Sequence, residues 1–275
     1  MISKFDKSKI TLSLVSDLIA EQFSQWSNLS IESVAMSGID NRTFRLGSEM
    51  LVRLPSAEGY VDQVKKEQKW LPVLSSNLSF RIPEPLAMGQ PSKSYPWNWS
   101  IYRWIEGESA NTLNINDLNL HSIASSSAEF LNELHQINVS GAPVGGLHNY
   151  YRGCPLAVYD AETRTLIHQL QELIPKNAST TVLEKALKSK WSKPSVWVHG
   201  DLASGNILVK NGLLAAIIDF GCMGVGDPAC DLVIAWTFLM GESRRVFRSS
   251  LNLDADTWAR ARGESITPID VVNIM

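Results

Sequence analysis

The sequence predicts an α+β protein with a small, mostly β N-terminal region and a larger, mainly helical C-terminal region. Between residues 31 and 55, short apolar runs alternate with polar residues and are interrupted by glycines, which is typical of antiparallel strands. After residue 116, apolar residues recur every three or four positions, as on the buried face of an α-helix. The 275 residues, 44% hydrophobic and 19% charged, are enough for one large domain or two lobes and exclude a mainly disordered chain.

The elements of the N-terminal region follow from apolar periodicity and from the residues that interrupt it. Residues 11–26 place their apolar side chains on one helical face, and a second helix is expected from residue 60 until Pro72. Strands are expected at about 31–37, 43–48 and 50–55, the last of which ends at Pro55, and in the aromatic run 97–107.

The C-terminal region begins after a connector near residues 104–108, so we expect an N-lobe at 1–104 and a C-lobe at 105–275. Helical spacing predicts helices at 123–137, 160–174 and 180–189. Short strands are expected within residues 195–220, and residues 231–240 form a buried helix or another very apolar element.

Composition and charge exclude several classes of protein. A net charge of −3 argues against bulk nucleic-acid binding, and residues 108–275, with 13 basic and 17 acidic residues, favour a cationic or neutral ligand. Cys154, Cys222 and Cys230 form no CxxC pair, which argues against a zinc ribbon and predicts reduced thiols. The apolar stretches are too short to cross a membrane, and no signal-peptide pattern is present, so a cytoplasmic protein is expected.

One segment carries residues suited to phosphoryl transfer. His199, Gly200 and Asp201 are followed by Asn206, five positions after Asp201, and then by Asp219 in the sequence IDFG. Phosphoryl transfer requires a carboxylate that orients the attacking hydroxyl, together with oxygen ligands for Mg²⁺. Protein kinases have the same spacing from the catalytic Asp to the Asn, followed by a DFG Asp that binds the metal.

Residues 196–232, with HGDxxxxN, IDFG and GDPxxDL, resemble the aminoglycoside phosphotransferase family of small-molecule kinases. The resemblance extends over roughly residues 30–260 and implies a bilobal protein-kinase-like fold that binds ATP and Mg²⁺. By the same resemblance, Asp201 is the catalytic base, and Asn206 and Asp219 are the magnesium ligands.

The resemblance also implies a set of nucleotide-binding residues. Arg53 in LVRLP occupies the place of the kinase lysine that contacts the phosphates, and Glu67 is its expected ion-pair partner. Six further residues are expected near the nucleotide. Ser37, Gly38 and Asn41 lie in the turn that covers the phosphates, Trp104 and Ile105 lie at the adenine connector, and Ile218 precedes the metal ligand Asp219.

Several nearby residues have more than one interpretation. His199 is expected to be a packed residue that ties its loop to the strand before Asp219. Asp227 and Asp231 are either metal ligands or structural, in which case Asp227 fixes the catalytic loop and Asp231 caps the following helix. Residues 146–156 either line the acceptor side of the site or form a plain connecting loop.

The expected function is an ATP- and Mg²⁺-dependent phosphotransferase that modifies a hydroxyl of a small molecule, an aminoglycoside-like antibiotic or a related metabolite. The alternatives are a nucleotide-binding module without catalysis and a metabolite kinase for choline, an amino alcohol or a sugar. Neither a nucleic acid nor a membrane is an expected partner. Residues 263–275 are short and lack a clear amphipathic face. A C-terminal lobe shortened in this way would expose apolar surface, so a homodimer that covers this surface is a further expectation.

Overall fold

The structure is a computed structural model that describes residues 7–34 and 41–268. Its contacts divide the chain into two compact units, the first composed of Met1–Ser76 and Arg81–Glu106, and the second of Asn77–Phe80 and Gly107–Met275. The first unit contains a five-stranded antiparallel sheet, whereas the second is mainly helical. The predicted α+β class is therefore confirmed.

The first unit is built on a sheet with the strand order β1-β2-β3-β5-β4. Its elements are α1 (Leu12–Gln22), β1 (Ile31–Ser33), β2 (Asn41–Leu46), β3 (Met50–Pro55), α2 (Val61–Ser75), β4 (Pro85–Gly89) and β5 (Trp99–Arg103). The apolar face of α1 packs with Val52, Leu54 and Trp99 of the sheet in one core. Gly47 joins β2 to β3 with φ of +58°, a conformation that glycine adopts without strain.

Helix α2 continues through Pro72, where the sequence predicted its end. Proline has no N–H to donate to the carbonyl of the preceding turn, which removes one hydrogen bond, and only three residues of the helix follow it. Leu71 and Leu74, on either side of Pro72, are completely buried. Their burial holds the last turn in place, which shows tertiary packing overriding a local helix-breaking residue.

The second unit contains eight described helices of four or more residues, together with five short strands. Its α-helices are α3 (Leu120–Leu134), α4 (Asp160–Gln169), α5 (Lys176–Leu187), α6 (Ile234–Thr237), α7 (Gly241–Ser250) and α8 (Ala255–Glu264). Its strands are β6 (Glu108–Ser109), β7 (Val196–Val198), β8 (Ile207–Lys210), β9 (Leu213–Ile217) and β10 (Gly224–Gly226).

Six of these eight helices are α-helices, and the other two are the 3₁₀ helices Leu156–Tyr159 and Pro228–Leu232.

Several boundaries in this unit differ from the prediction. The helix expected at 160–174 ends at Gln169, and the one expected at 180–189 begins at Lys176. The apolar stretch 231–240 is divided between the 3₁₀ helix Pro228–Leu232 and the short α6; residues 231–235 are buried, whereas Thr237 and Met240 are exposed. Among the described residues, no helix is both long and apolar enough to cross a membrane.

The hairpin of β8 and β9 determines where the candidate site lies in this unit. The two strands pair antiparallel, with Ile207 opposite Ile217, and β6 extends the same sheet. Asn206 therefore lies directly before β8, and Ile218 and Asp219 directly after β9, at the same end of the hairpin. The backbone N–H of Ile218 donates to the carbonyl of Asn206 at 2.9 Å, which fixes the two ends side by side.

A largely buried histidine just after α3, His135, predicts how stability changes with pH. Burial lowers the pKa of His135 to about 4, so the unfolded chain takes up a proton near pH 6.5 that the folded chain does not. The free energy of unfolding should therefore fall with decreasing pH, with His135 contributing about 2 kcal/mol of the loss between pH 7 and pH 5. Denaturant unfolding of the wild type and of His135→Gln at both pH values measures this contribution. Equal losses in the two proteins would contradict it.

Candidate active site

Gly200 allows the loop after β7 to pass close to the segment that follows Asp219. It adopts φ of +84°, and a Cβ at this position would lie 2.2 Å from the carbonyl oxygen of Cys222. Only glycine satisfies both the backbone conformation and this close approach. The glycine of the HGD motif is thus required by packing, and its neighbour Asp201 is brought to the end of the β8–β9 hairpin.

Asp201 and Asn206 are held together by their side chains. Nδ2 of Asn206 donates to Oδ2 of Asp201 at 2.9 Å and to the backbone carbonyl of Asp201 at 2.7 Å. Both groups are partly exposed. The amide group therefore orients the Asp201 carboxylate, while Oδ1 remains as the oxygen of Asn206 that is suited to a hard cation.

Asp231 fixes the loop that carries Asp201, which corrects the expectation that it caps the following helix. Its carboxylate is fully buried and accepts from the backbone N–H of His199 at 2.8 Å and from that of Gly200 at 2.7 Å. Burial raises the pKa of Asp231, while the hydrogen bonds to these two N–H groups oppose that rise. The side chain thus acts on the backbone of the HGD motif rather than on its own helix.

Asp227, rather than Asp231, caps a helix, so each of these two residues has the role that was expected of the other. Its Oδ1 accepts from the backbone N–H of Ala229 at 3.1 Å, at the start of the 3₁₀ helix Pro228–Leu232. The same carboxylate forms a buried ion pair with Arg260 of α8, with 2.6 Å between Oδ2 and Nε. Asp227 therefore links the segment after Asp219 to α8.

His199 has the structural role expected from the sequence. Its Nε2 donates to the carbonyl of Ile218 at 3.0 Å, and its Nδ1 accepts from the backbone N–H of Asp201 at 3.2 Å. These two bonds require the neutral tautomer protonated on Nε2. The ring is fully buried and packs edge-on against Phe220, and burial lowers the pKa of His199. A neutral imidazole thus connects the Asp201 loop to the residue before Asp219.

Asp219 has an unusual backbone conformation for a residue other than glycine. Its φ is +64° and its ψ is +69°, in the left-handed region, where it immediately precedes the turn Phe220–Cys222. Such conformations cost free energy and are concentrated at functional sites. With Oδ1 of Asn206, the Asp219 carboxylate supplies the hard oxygen atoms that Mg²⁺ prefers, so the residues present fit this cation. No cluster of three or more His, Cys, Asp or Glu side chains that could hold a metal occurs in residues 7–34 and 41–268.

In the first unit, Arg53 and Glu67 form the ion pair expected from the resemblance. Nη1 of Arg53 lies 3.2 Å from Oε1 of Glu67, and the two side chains are 15% and 4% exposed. Tyr102 of β5 donates to the other carboxylate oxygen, and burial together with Glu67 raises the pKa of Tyr102. Glu67 is therefore an acceptor for two donors, which fixes the orientation of Arg53.

Asn41 belongs to this cluster, although it lies in a strand rather than in the expected turn. It is the first residue of β2, opposite Pro55 of β3. With its amide oriented so that Oδ1 faces Arg53, that oxygen accepts from Nη2 at 3.0 Å and from Nε at 3.1 Å. Ser37 and Gly38, the other residues assigned to the turn, lie outside the described residues.

The remaining predicted residues lie at the ends of strands. Trp104 follows β5, its backbone N–H donates to the carbonyl of Glu49 at 2.8 Å, and Arg45 stacks over its ring at 4.4 Å. Ile105 comes next and is partly buried. Ile218, also partly buried, donates and accepts through its backbone in the contacts with Asn206 and His199 described above.

Sequence reasoning missed a further buried ion pair, in the second unit. Arg152, which is 2% exposed, lies 3.5 Å from Glu264 at the end of α8, measured from Nη1 to Oε2. One turn earlier on the same helix, Arg260 binds Asp227. Arg152 and Glu264 are separated by 112 positions in the chain, so no local pattern could have indicated this pair. Asn149, discussed below, was missed for the same reason.

The family of this chain is identified by a match between its sequence and a family profile. The profile of the family described as "Phosphotransferase enzyme family", or APH, matches residues 31–263. The chain belongs to this family. No curated protein is significantly similar to this member in sequence.

Solved structures of aminoglycoside and macrolide phosphotransferases resemble this APH-family member in fold. A GDP complex of a mutant aminoglycoside 2′-phosphotransferase-IIIa has a TM-score of 0.69 and 22% identity, over 93% of this chain and 86% of that chain. The streptomycin–ATP ternary complex of APH(2″)-IIa has a TM-score of 0.60 and 20% identity, over 92% and 86%. Macrolide 2′-phosphotransferase MphH from Brachybacterium faecium, an apoenzyme, has a TM-score of 0.64 and 21% identity, over 92% and 88%. At these identities the likeness establishes the protein-kinase-like fold.

Proposed function

We propose that this APH-family phosphotransferase transfers the γ-phosphoryl group of ATP to a hydroxyl of a small molecule, with Mg²⁺ as the required cation. The observation that carries the proposal is the arrangement around the β8–β9 hairpin. Asp201 is oriented by the Nδ2 group of Asn206, and Asn206 is bonded through its backbone to Ile218, the residue before Asp219. One carboxylate for the hydroxyl and two oxygen ligands for a cation are the parts that phosphoryl transfer requires.

Asp201 acts on the acceptor in this mechanism. Its carboxylate accepts a hydrogen bond from the acceptor hydroxyl and takes up the proton as the hydroxyl oxygen bonds to the γ-phosphorus. The bond from that phosphorus to the β,γ-bridging oxygen breaks, and ADP leaves with the electron pair. The hydrogen bond from Asn206 holds the carboxylate in one orientation, so most of the contribution of the protein is positioning.

Asn206 and Asp219 would hold the magnesium ion through Oδ1 and the carboxylate, respectively. When bound, Mg²⁺ offsets the negative charge of the phosphates. The side-chain bonds to Asp201 leave Asn206 only one side-chain atom for this role, and that atom is an oxygen. The left-handed backbone of Asp219 is consistent with a residue held in position for a ligand.

The nucleotide-binding role is assigned to residues of the first unit and to Ile218. Arg53, oriented by Glu67 and Asn41, would bind phosphate, and Ser37 and Gly38 would cover the phosphates. Trp104 and Ile105 would contact adenine through the backbone. Solved relatives in complex with ATP, ADP or GDP support nucleotide use, and ATP is the donor we propose. Residues 1–104 would thus form the nucleotide-covering lobe, and 105–275 the catalytic lobe.

Arg53→Lys tests the proposed role of the guanidinium group. Lysine keeps the positive charge for Glu67 but lacks the two guanidinium donors from which Oδ1 of Asn41 accepts. We therefore expect the KM for ATP to rise about tenfold, with little change in the free energy of unfolding. Steady-state kinetics and denaturant unfolding of the same preparations measure the two quantities. Arg53→Ala, which leaves a buried carboxylate without its cation, should also lose about 3 kcal/mol of stability. An unchanged KM for ATP in Arg53→Lys would contradict the phosphate-binding role.

The proposed function is tested by ADP release from Mg-ATP in the presence of different acceptors. The panel contains an aminoglycoside, a macrolide, choline, an amino alcohol and a sugar, and Asp201→Asn serves as the blank. Release above this blank that depends on one acceptor class is the expected result, and omission of Mg²⁺ should abolish it. ATP binding without acceptor-dependent release would favour the alternative of a nucleotide-binding module without catalysis.

A further inference from the structure

Residues 144–158, here called the 144–158 loop, pack against the segment that directly follows Asp219. Nδ2 of Asn149 donates to the carbonyl of Cys222 at 3.3 Å. The backbone N–H of Asp227 donates to the carbonyl of Gly153 at 2.8 Å, and Val144 forms a parallel β-bridge with Val225. The loop is therefore attached to the segment that runs from the proposed metal ligand Asp219 to the 3₁₀ helix Pro228–Leu232.

The backbone of the loop is held in one conformation by a buried asparagine. Asn149 is fully buried, its Oδ1 accepts from the N–H of Gly146 at 2.9 Å, and its Nδ2 also donates to the carbonyl of Arg152 at 3.0 Å. Tyr150 and Tyr151 have φ of +54° and +63°, in the left-handed region. Two successive residues with side chains in this region persist only when their surroundings hold them, and such strain is concentrated at functional sites. The loop is thus preformed rather than an adaptable connection.

The outer surface of this preformed loop is apolar. Leu147 is 78% exposed and Val144 is 72% exposed, and Val158 and Tyr151 are also exposed. The turn is compact, because the N–H of Tyr151 donates to the carbonyl of Gly146 at 2.7 Å. Four large apolar side chains are thus exposed on one ordered loop, which makes the loop a candidate binding surface.

The loop also lacks the negative charge that a polycation would require. No Asp or Glu occurs in residues 134–159. Its arginine, Arg152, is buried against Glu264, so it contributes little positive charge at the surface. The next carboxylate, Asp160, forms an ion pair with Arg164 at 2.8 Å. The excess of acidic residues in the C-terminal region is therefore located away from this loop in the sequence.

We propose that the acceptor binds the 144–158 loop through an apolar face, with Leu147 and Tyr151 as specificity-determining residues. The acceptor class that fits is an alcohol carried on a large, mainly apolar scaffold with at most one positive charge. This inference rests on the proposed function, because contact with the segment after Asp219 places the loop at the reaction centre only if Asp219 belongs to that centre. A polycationic acceptor would lose water from its ammonium groups here without gaining carboxylate partners.

Binding measurements on a protein that does not turn over test this inference. Isothermal titration calorimetry on Asp201→Asn compares a macrolide, as the apolar-faced alcohol, with kanamycin, as the polycation. Leu147→Ser and Tyr151→Ser are then added singly to the same background. Leu173→Ser is the matched control, because Leu173 is 77% exposed but lies outside the loop, between α4 and α5.

We expect the macrolide to bind more tightly than kanamycin and its Kd to rise about tenfold in each loop variant, but not in Leu173→Ser. Tighter binding of kanamycin, no macrolide binding, or equal macrolide affinity in all variants would each overturn the inference. The proposed function and this inference are contradicted by different results. Macrolide binding that depends on the loop without phosphoryl transfer by the wild type would contradict the function alone, whereas transfer to a polycation that is unaffected by loop substitutions would contradict the inference alone.

Discussion

Asp201→Asn should reduce kcat by a factor of about 10² to 10⁴, the usual contribution of a positioned general base. Asparagine has nearly the same volume, and its Oδ1 can still accept the hydrogen bond that Nδ2 of Asn206 donates at 2.9 Å in the wild type. It cannot take up the proton of the acceptor hydroxyl. The loss should therefore appear in kcat, while the Kd for ATP and the free energy of unfolding change little.

Three measurements on the same preparation separate this explanation from a structural one. Steady-state kinetics give kcat, calorimetry gives the Kd for ATP, and denaturant unfolding gives stability. Asp256→Asn is a suitable control, because Asp256 is an exposed aspartate in the first turn of α8. Wild-type turnover in Asp201→Asn would refute the assignment of Asp201 as the base.

Asp231→Ala should have the second large effect, on stability and turnover together. The carboxylate of Asp231 accepts from two buried backbone N–H groups, those of His199 and Gly200. Alanine leaves both donors without a partner, and each unsatisfied buried donor costs about 1 to 3 kcal/mol, so we expect a loss of about 3 to 5 kcal/mol in the free energy of unfolding. The backbone before Asp201 would also lose its anchor, which should lower kcat in the fraction that remains folded.

Asp231→Asn separates the two contributions. Asparagine keeps the volume and one acceptor oxygen but presents an N–H₂ group to the second backbone donor, so its loss of stability should be smaller than that of alanine. Thermal and denaturant unfolding of both variants, together with kcat measured under conditions where each is folded, provide the comparison. Full stability in Asp231→Ala would show that the two hydrogen bonds do not hold the loop.

The architecture could be predicted from the sequence because its signals are local. Strand β3 has the predicted bounds of residues 50–55, since a glycine precedes it and a proline ends it. The motif spacing also led to a correct local arrangement, because a hairpin between Asn206 and Asp219 necessarily brings its two ends together. Helix α2 passed Pro72 because Leu71 and Leu74 are buried, and burial of this kind is not visible in the local pattern.

The wrong expectations about the site concern contacts between distant parts of the chain. Asp227 and Asp231 are four positions apart, so the sequence could not indicate which of them turns toward the HGD motif and which toward α8. That choice depends on Arg260, which binds Asp227 from 33 positions away. The same argument applies to Asn149, whose buried amide bonds with Cys222 from 73 positions away.

Detection of the phosphorylated acceptor tests the central claim most directly. The protein is incubated with Mg-ATP and with each acceptor in turn, and ³¹P NMR then follows the γ-phosphorus. The account predicts a new phosphomonoester signal that forms with one acceptor class, requires Mg²⁺ and does not form with Asp201→Asn. Release of the γ-phosphorus only as inorganic phosphate, or a phosphomonoester that forms equally well with Asp201→Asn, would contradict it.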